Sequence, residues 1–266
     1  MISYFFNNEN ENLDKLSNSY PEELRNRLTY DGLMIASIIH ENSEYKDLSE
    51  EEAINKTVKL YLENSRRLAI IYKEPNKEAG EDYRDFNMHE TSPNMAIFKV
   101  TAGWVEGLHL TTKDSLTQYT DEQLREKVKE VFCYYPFVFC NIKKLSGGGS
   151  SDWKEIWEYG NRDAEFLKKQ LREIDKPNII LCCGSTENEK DVKGTMINLV
   201  KECIFPDVTD FYKVNDFCHY SPSLDILLID TYHPSYPDRG GWKTEEMVNL
   251  LLKAFQDFLK KVGFKK

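Results

Sequence analysis

Apolar residues fall along this chain in two rhythms. Through the first 66 residues they recur at helical spacing, with Ile54, Val58 and Leu62 marking one stripe at every fourth position. Ser49-Glu50-Glu51-Glu52 ahead of them has the form of a capping box, Ser49 as N-cap and Glu52 returning a hydrogen bond. Leu33, Ile35 and Ile38-Ile39 predict another helix upstream. From Leu68 the rhythm changes to short unbroken apolar runs: Leu68–Tyr72, residues 137–140 with Ile142, Ile179–Cys183, and residues 226–229. Unbroken runs suit strands covered on both faces, as in a parallel sheet. Helical patterns lie between and after them. Thr120 with Gln123 caps a run carrying Leu124, Val128 and Val131; Ala164, Leu167, Leu171 and Ile174 follow Asn161; Thr244 opens a run with Met247, Leu251, Phe255 and Leu259. Strands alternating with helices predict an α/β fold. The expected form is a three-layer α/β/α sandwich on a central, mostly parallel four-stranded sheet over residues 67–266. Residues 1–66 form an N-terminal helical extension. Residues 95–100, inside a long connection after Phe86, are the candidate for an extra strand.

Composition narrows the class. With 40% hydrophobic and 12% aromatic residues in 266, the chain can bury a core, which excludes wholesale disorder. No apolar run approaches the ~20 residues that span a bilayer, so no membrane partner is expected. The opening MISYFFNNENENLDK lacks a basic region and its apolar stretch stops at Phe6, so a cytoplasmic location is expected. Six cysteines (133, 140, 182, 183, 203, 218) contain no C-x-x-C and read as reduced, packed thiols. Five histidines (40, 89, 109, 219, 233) show no paired metal-ligand spacing, and no metal is expected. Thirty-five Lys+Arg against 45 Asp+Glu leave a charge of −10, which opposes tight non-specific binding to polyphosphate but leaves a local basic cleft open.

In an open parallel sheet, ligands bind beyond the carboxyl ends of the strands. The residues just past the four runs are Lys73-Glu74-Pro75-Asn76, then Asn141 with Lys143-Lys144, then Gly184-Ser185, and finally His233-Pro234-Ser235. Alone, Glu74 reads as an exposed carboxylate and His233 as a turn histidine. Together at one sheet edge they read as an acid/base pair flanking a pocket. Such a pair suits cleavage of a glycosidic bond: a carboxylate stabilises the cationic sugar and orients water, and a histidine stabilises the departing anion. The Asn141 amide offers a donor and an acceptor for the polar edge of a pyrimidine. Ser146-Gly147-Gly148-Gly149-Ser150-Ser151 lacks P-loop spacing, no G-x-S-x-G is present, and the stretch reads as a lid.

The order strand–KEPN…EDYRDF, strand–NIKK, a helix entering IILCCG, and strand–HPS resembles the uracil-DNA glycosylase superfamily over roughly residues 67–260. The resemblance implies Glu74 at the water-activating position, where Glu replaces the family's usual Asp or Asn. Asn76 stands where members often carry a Gly or Tyr that shapes the pocket floor. Phe86 is similar to the aromatic that stacks on the flipped base, worth ~1–3 kcal/mol. Asn141 matches the base-reading amide, His233 the leaving-group stabiliser, and Ser235 completes the substrate-binding loop. Tyr236 falls where members insert a wedge, and Lys143, Lys144 and Arg239 are the candidates for DNA phosphate. No cysteine precedes Cys133, so the iron–sulfur ligand set of some branches cannot form, and no cofactor is expected.

The implied activity is a monofunctional DNA glycosylase that flips out and excises uracil or a modified pyrimidine from single- or double-stranded DNA, leaving an abasic site. An enlarged insertion beside the pocket suits a second reading, excision of hypermodified (for example glucosylated hydroxymethyl) cytosine from phage DNA as a defence. The substituted Y-K-E-P-N motif and acidic balance suit a third, a non-catalytic DNA- or protein-binding module. An α/β hydrolase of free nucleosides or sugars is disfavoured by the missing nucleophile elbow.

Overall fold

The computed structural model describes residues 3–75, 82–88, 91–147, 152–184, 195–237 and 242–265. In chain order its helices are α1 (Ser3–Ser19), α2 (Glu22–Arg25), α3 (Ala36–Glu41), α4 (Glu50–Glu63), α5 (Ala96–Leu110), α6 (Asp121–Tyr134), α7 (Trp153–Arg162), α8 (Ala164–Lys168, continued by a π-helical turn, Lys169–Ile174), α9 (Met196–Cys203) and α10 (Thr244–Lys261). The strands are β1 (Leu68–Tyr72), β2 (Val138–Asn141), β3 (Ile179–Cys183), β4 (Tyr212–Lys213), β5 (Cys218–Ser221) and β6 (Ile226–Thr231).

The fold is α/β, but its sheet has six strands, ordered β2-β1-β3-β6-β5-β4, rather than four. The four expected strands are the parallel ones, and β5 and β4 extend the sheet antiparallel beyond β6. β4 has two exposed residues and β5 buries only alternate side chains on its way to Ser221, so neither makes an unbroken apolar run. A second correction concerns residues 95–100, which open the helix α5 instead of forming a strand. α5 is buried almost all round, so its apolar residues show no stripe, and a short stretch of it imitates a strand.

Side chains alternate across the sheet and separate two cores. Leu68, Ile70, Tyr72, Leu181 and Ile229 pack with Trp104 of α5, Val128 of α6, and Leu251 and Phe255 of α10. Ala69, Ile71, Val138 and Ile180 pack with Val58 of α4, Ile156 of α7, Leu167 of α8 and Val200 of α9. Helices therefore cover both faces. The capping boxes at Ser49/Glu52 and Thr120/Gln123 are both formed. All six cysteines are buried free thiols. No helix among the described residues is long and apolar enough to cross a membrane.

The N-terminal helices are tied into this core. Residues 28–34 run along the outer edge of β2, where Thr29 N–H donates to Lys144 O (2.8 Å), Phe139 N–H to Gly32 O (2.9 Å) and Met34 N–H to Phe137 O (2.9 Å). That edge is thereby covered rather than left open for pairing. α1 is anchored by Glu9, buried against the Leu33 N–H (3.1 Å) and Arg84 (3.3 Å). Asp175 is fully buried beside Glu9, and neither of its carboxyl oxygens has a hydrogen-bond partner among the described residues. Burial, with the neighbouring Glu9 charge, raises the Asp175 carboxyl well above its ordinary 3.8, so it stays protonated in the fold.

This carries a linkage prediction. Above pH 3.8 the unfolded Asp175 gives up its proton while the folded one keeps it. Its contribution is fully present below that value and is lost as pH rises toward the folded-state value. Asp175→Asn keeps the size of the side chain and removes the group that must hold its proton, so it escapes that loss. Its melting temperature should exceed the wild type's at pH 8, by a margin that shrinks as pH falls toward 4; a margin that ignores pH would refute the assignment.

Candidate active site

Parallel pairing brings the carboxyl ends of β1 and β2 level. Tyr72 stands opposite Asn141, and the ladder continues past the strands through Ile142 N–H to Tyr72 O (2.9 Å) and Lys143 N–H to Lys73 O (2.9 Å). Phe137, Phe139 and Asn141 share the α5 face of β2 by simple alternation. β6 ends at Thr231 two residues before His233.

At this edge lies a cavity of about 270 Å³. Glu74, Asn141 and His233 meet there with Tyr72, Phe139 and Phe86. Its far wall is Met34, Met88, Met95, Ile97 and Phe98. The volume falls below the ~300–1,000 Å³ usual for drug-sized ligands, which suits one aromatic ring with a small substituent. Two shallower recesses, of about 350 and 360 Å³, lie elsewhere. Their walls lack this convergence: in the first, Arg172 is already paired with Asp207 (2.5 Å) and Arg67 donates to the Lys176 carbonyl (2.7 Å).

The polar groups at the cavity are individually constrained. The Glu74 carboxylate is buried and its Oε2 accepts from Lys143 Nζ at 2.7 Å; Lys143 also pairs with Glu155 at 2.9 Å. Burial works against the Lys143 charge, but hydrogen bonds to both carboxylates outweigh it and raise its pKa, so the ammonium stays protonated. Gly147 lies directly against Glu74, since a Cβ there would sit 2.1 Å from Oε2. His233 Nδ1 accepts the Ser235 backbone N–H (3.2 Å) and lies 2.7 Å from the Ser235 hydroxyl. An N–H can only donate, so in the neutral ring the proton sits on Nε2. The Tyr72 ring meets the imidazole edge-on at 5.2 Å and stacks on Phe139 at 4.7 Å. Burial raises the Tyr72 phenol well above 10.0 and keeps it neutral. Asn141 is 1% exposed; its Nδ2 donates to Asp31, and its Oδ1 is buried with no hydrogen-bond partner among the described residues. A buried acceptor without a donor is uncommon in a folded protein and sets Asn141 apart from its neighbours.

No protein-family model and no curated protein matches this chain. The geometry therefore carries the interpretation by itself.

The structure brings Glu74, Phe86, Asn141 and His233 to one cavity. It does not bring Lys143 or Lys144 to the surface. Lys143 is held by Glu74 and Glu155, and Lys144, 1% exposed, is paired with Asp31 at 2.5 Å. The expectation that these two lysines meet phosphate is corrected: both turn inward because carboxylates await them there. Ser235 is turned to His233 rather than to the cavity. Tyr236 lies flat against Tyr232, with ring centroids 4.7 Å apart, rather than standing out as a wedge. Asn76, Arg239 and most of the glycine-rich stretch (residues 148–151) lie outside the described residues. Sequence reasoning missed Tyr72, Phe139 and Asp31. Tyr72 was legible as the last α5-facing residue of β1, and Phe139 as the residue before Asn141 on the same face of β2, but nothing local marks Asp31.

Proposed function

We propose that the protein is a monofunctional DNA glycosylase that takes a flipped pyrimidine into this cavity and hydrolyses its N-glycosidic bond. The observation that supports the reading best is the convergence of Glu74, Asn141 and His233 on one aromatic-walled cavity of single-base size at the carboxyl ends of β1, β2 and β6. The parallel strands with helices on both faces are read as the α/β/α core that the glycosylase resemblance implies.

Each group then has a role set by its surroundings. Phe86 and Phe139 supply aromatic faces for the base, and Asn141 Oδ1 accepts from its N–H. His233 donates from Nε2 to the oxygen that gains charge as the base departs. The Glu74 carboxylate stabilises the oxocarbenium-like sugar and orients water, with Lys143 holding Oε2 in place. A protonated Lys143 is no nucleophile, so no imine forms and the strand is not cut. The apolar far wall disfavours a glucosylated base, because each sugar hydroxyl buried there without a partner costs ~1–3 kcal/mol.

Base release from oligonucleotides carrying uracil, hydroxymethylcytosine or glucosylated hydroxymethylcytosine, single- and double-stranded, tests this, with alkaline cleavage reporting abasic sites. Abasic sites from uracil, lost in His233→Ala, are expected. Silence on every substrate with DNA binding intact would replace the reading with a non-catalytic module.

Gly147→Ala tests the placement of Glu74. The new methyl must push a carboxylate that Lys143 pins, and a displacement near 1 Å costs about 10²-fold in rate. We expect that loss of base release with little change in melting temperature; unchanged release would mean that the position of Glu74 does not matter.

A further inference from the structure

A recess of about 350 Å³ lies at the opposite edge of the sheet from the cavity. Among its lining residues, Arg67 precedes β1, Asn178 precedes β3 and Ile226 opens β6, which places it at the amino ends of three parallel strands. Strands of five residues separate the two edges by ~17 Å. Leu171, Phe205 and Ile226 give the recess an apolar floor, and Arg67, Arg172 and Lys176 give it three cations. That grouping runs against a net charge of −10. Asp225, the acidic residue on this wall, is already engaged: its Oδ1 accepts from the Tyr220 hydroxyl (2.6 Å) and the Lys265 N–H (2.9 Å).

Each cation is held differently. Arg172 meets Asp207 through both terminal nitrogens (2.5 and 3.0 Å), and its guanidinium lies 5.5 Å from the Phe205 ring centroid. Asp207 satisfies the edge of that plane, and a guanidinium fixed in this way is a platform on which an aromatic ring stacks. Arg67 donates from Nε to the Lys176 carbonyl (2.7 Å) and from Nη1 to the Asn64 carbonyl (3.2 Å), which leaves Nη2 without a partner among the described residues. Lys176 Nζ makes no ion pair among the described residues. Its backbone is left-handed (φ 49°) and stands immediately before Pro177. Side chains are strained there, a following proline disfavours helical backbone, and glycine is the usual residue just past a helix end. A lysine in that place sets a charge at the rim against the local backbone preference.

We propose that this recess binds a small aromatic phosphate of the mononucleotide type, its ring stacked on Arg172 above the apolar floor and its phosphate bridging Arg67 Nη2 and Lys176 Nζ. The volume falls within the ~300–1,000 Å³ usual for small ligands. A phosphate takes charge-assisted hydrogen bonds from both cations. No histidine is among the described residues of this wall and its carboxylate is engaged, so the site binds without catalysing. It stands whatever reaction the cavity performs.

Titration with adenosine monophosphate, followed by NMR and calorimetry, tests this, with adenosine and inorganic phosphate as its two halves. A purine is chosen because the cavity at the other edge is sized for a single ring. We expect the backbone amides of residues 171–178 and 224–226 to shift, and the nucleotide to bind about tenfold or more tighter than either half. Lys176→Gln removes the charge and keeps the left-handed backbone; it should weaken binding about tenfold, the worth of a modest hydrogen bond to a charged group. Lys176→Gly should weaken binding as much while melting about 2 °C above the wild type, because glycine takes that backbone without strain. Affinity lost as stability is gained separates a lysine that holds a ligand from one that holds the fold. The inference is overturned if the wild type shows no saturable binding, if the shifts fall only elsewhere, if phosphate or adenosine binds as tightly as the nucleotide, or if Lys176→Gln binds unchanged. None of these measurements uses base release, so each outcome leaves the glycosylase reading where it stood.

Discussion

Glu74→Gln should lower base release by about 10²–10⁴-fold, the usual worth of a carboxylate in this position, while the protein stays folded. The substitution keeps the size of the side chain and an acceptor for Lys143. Lys143 also retains Glu155 at 2.9 Å, so its charge is not abandoned. What disappears is the negative charge facing the sugar as the glycosidic bond opens. DNA binding should persist, because the loss is confined to the transition state. Single-turnover release on a uracil oligonucleotide, beside a circular dichroism spectrum, checks this. A rate within a few-fold of wild type would remove Glu74 from the chemistry.

The largest effect on stability is expected at Lys144→Met. Lys144 is 1% exposed and its ammonium lies 2.5 Å from Asp31. Burial works against its charge, but Asp31 outweighs this and raises the pKa, so the ammonium stays protonated. Removing the cation leaves a buried carboxylate uncompensated, which costs on the order of 3–5 kcal/mol and lowers the melting temperature by roughly 10 °C. Adding Asp31→Asn should recover much of that loss, because the stranded charge is then gone. A thermal melt that places Lys144→Met within about 2 °C of wild type, below 1 kcal/mol on the same scale, would mean that the pair is not formed as described.

Much of this architecture could be read from the residues. The four parallel strands are unbroken apolar runs, and such runs announce burial on both faces. Glu74, Asn141 and His233 follow three of them, which is why the meeting of these residues at one cavity could be anticipated. The remainder resisted for physical reasons. β5 buries Cys218 and Tyr220 while His219 is only partly covered, a signal too short to distinguish from a loop. Residues 95–100 are apolar except for Lys99 and show no periodicity, and α5 is a helix because it is sandwiched, not because of its pattern. Lys143 and Lys144 look like solvated cations, as lysines usually are. Only the carboxylates delivered by distant segments turn them inward. Asp31 sits in a stretch of no marked character, 110 positions from the amide it holds.

That separation also bears on how the chain matures. Residues 28–34 leave the ribosome long before β2, and Asp31 meets Gln170 only after 139 further residues have been made. Contacts of such span close late, because the loop they enclose must first be paid for in entropy. The aromatic walls of the cavity come together largely from β1, β2 and α5. The polar contacts around Asn141 are completed only when the N-terminal segment is gripped between β2 and the π-helical turn. A nascent or partly folded chain therefore holds the shape of the cavity before it holds the polar cluster behind Asn141.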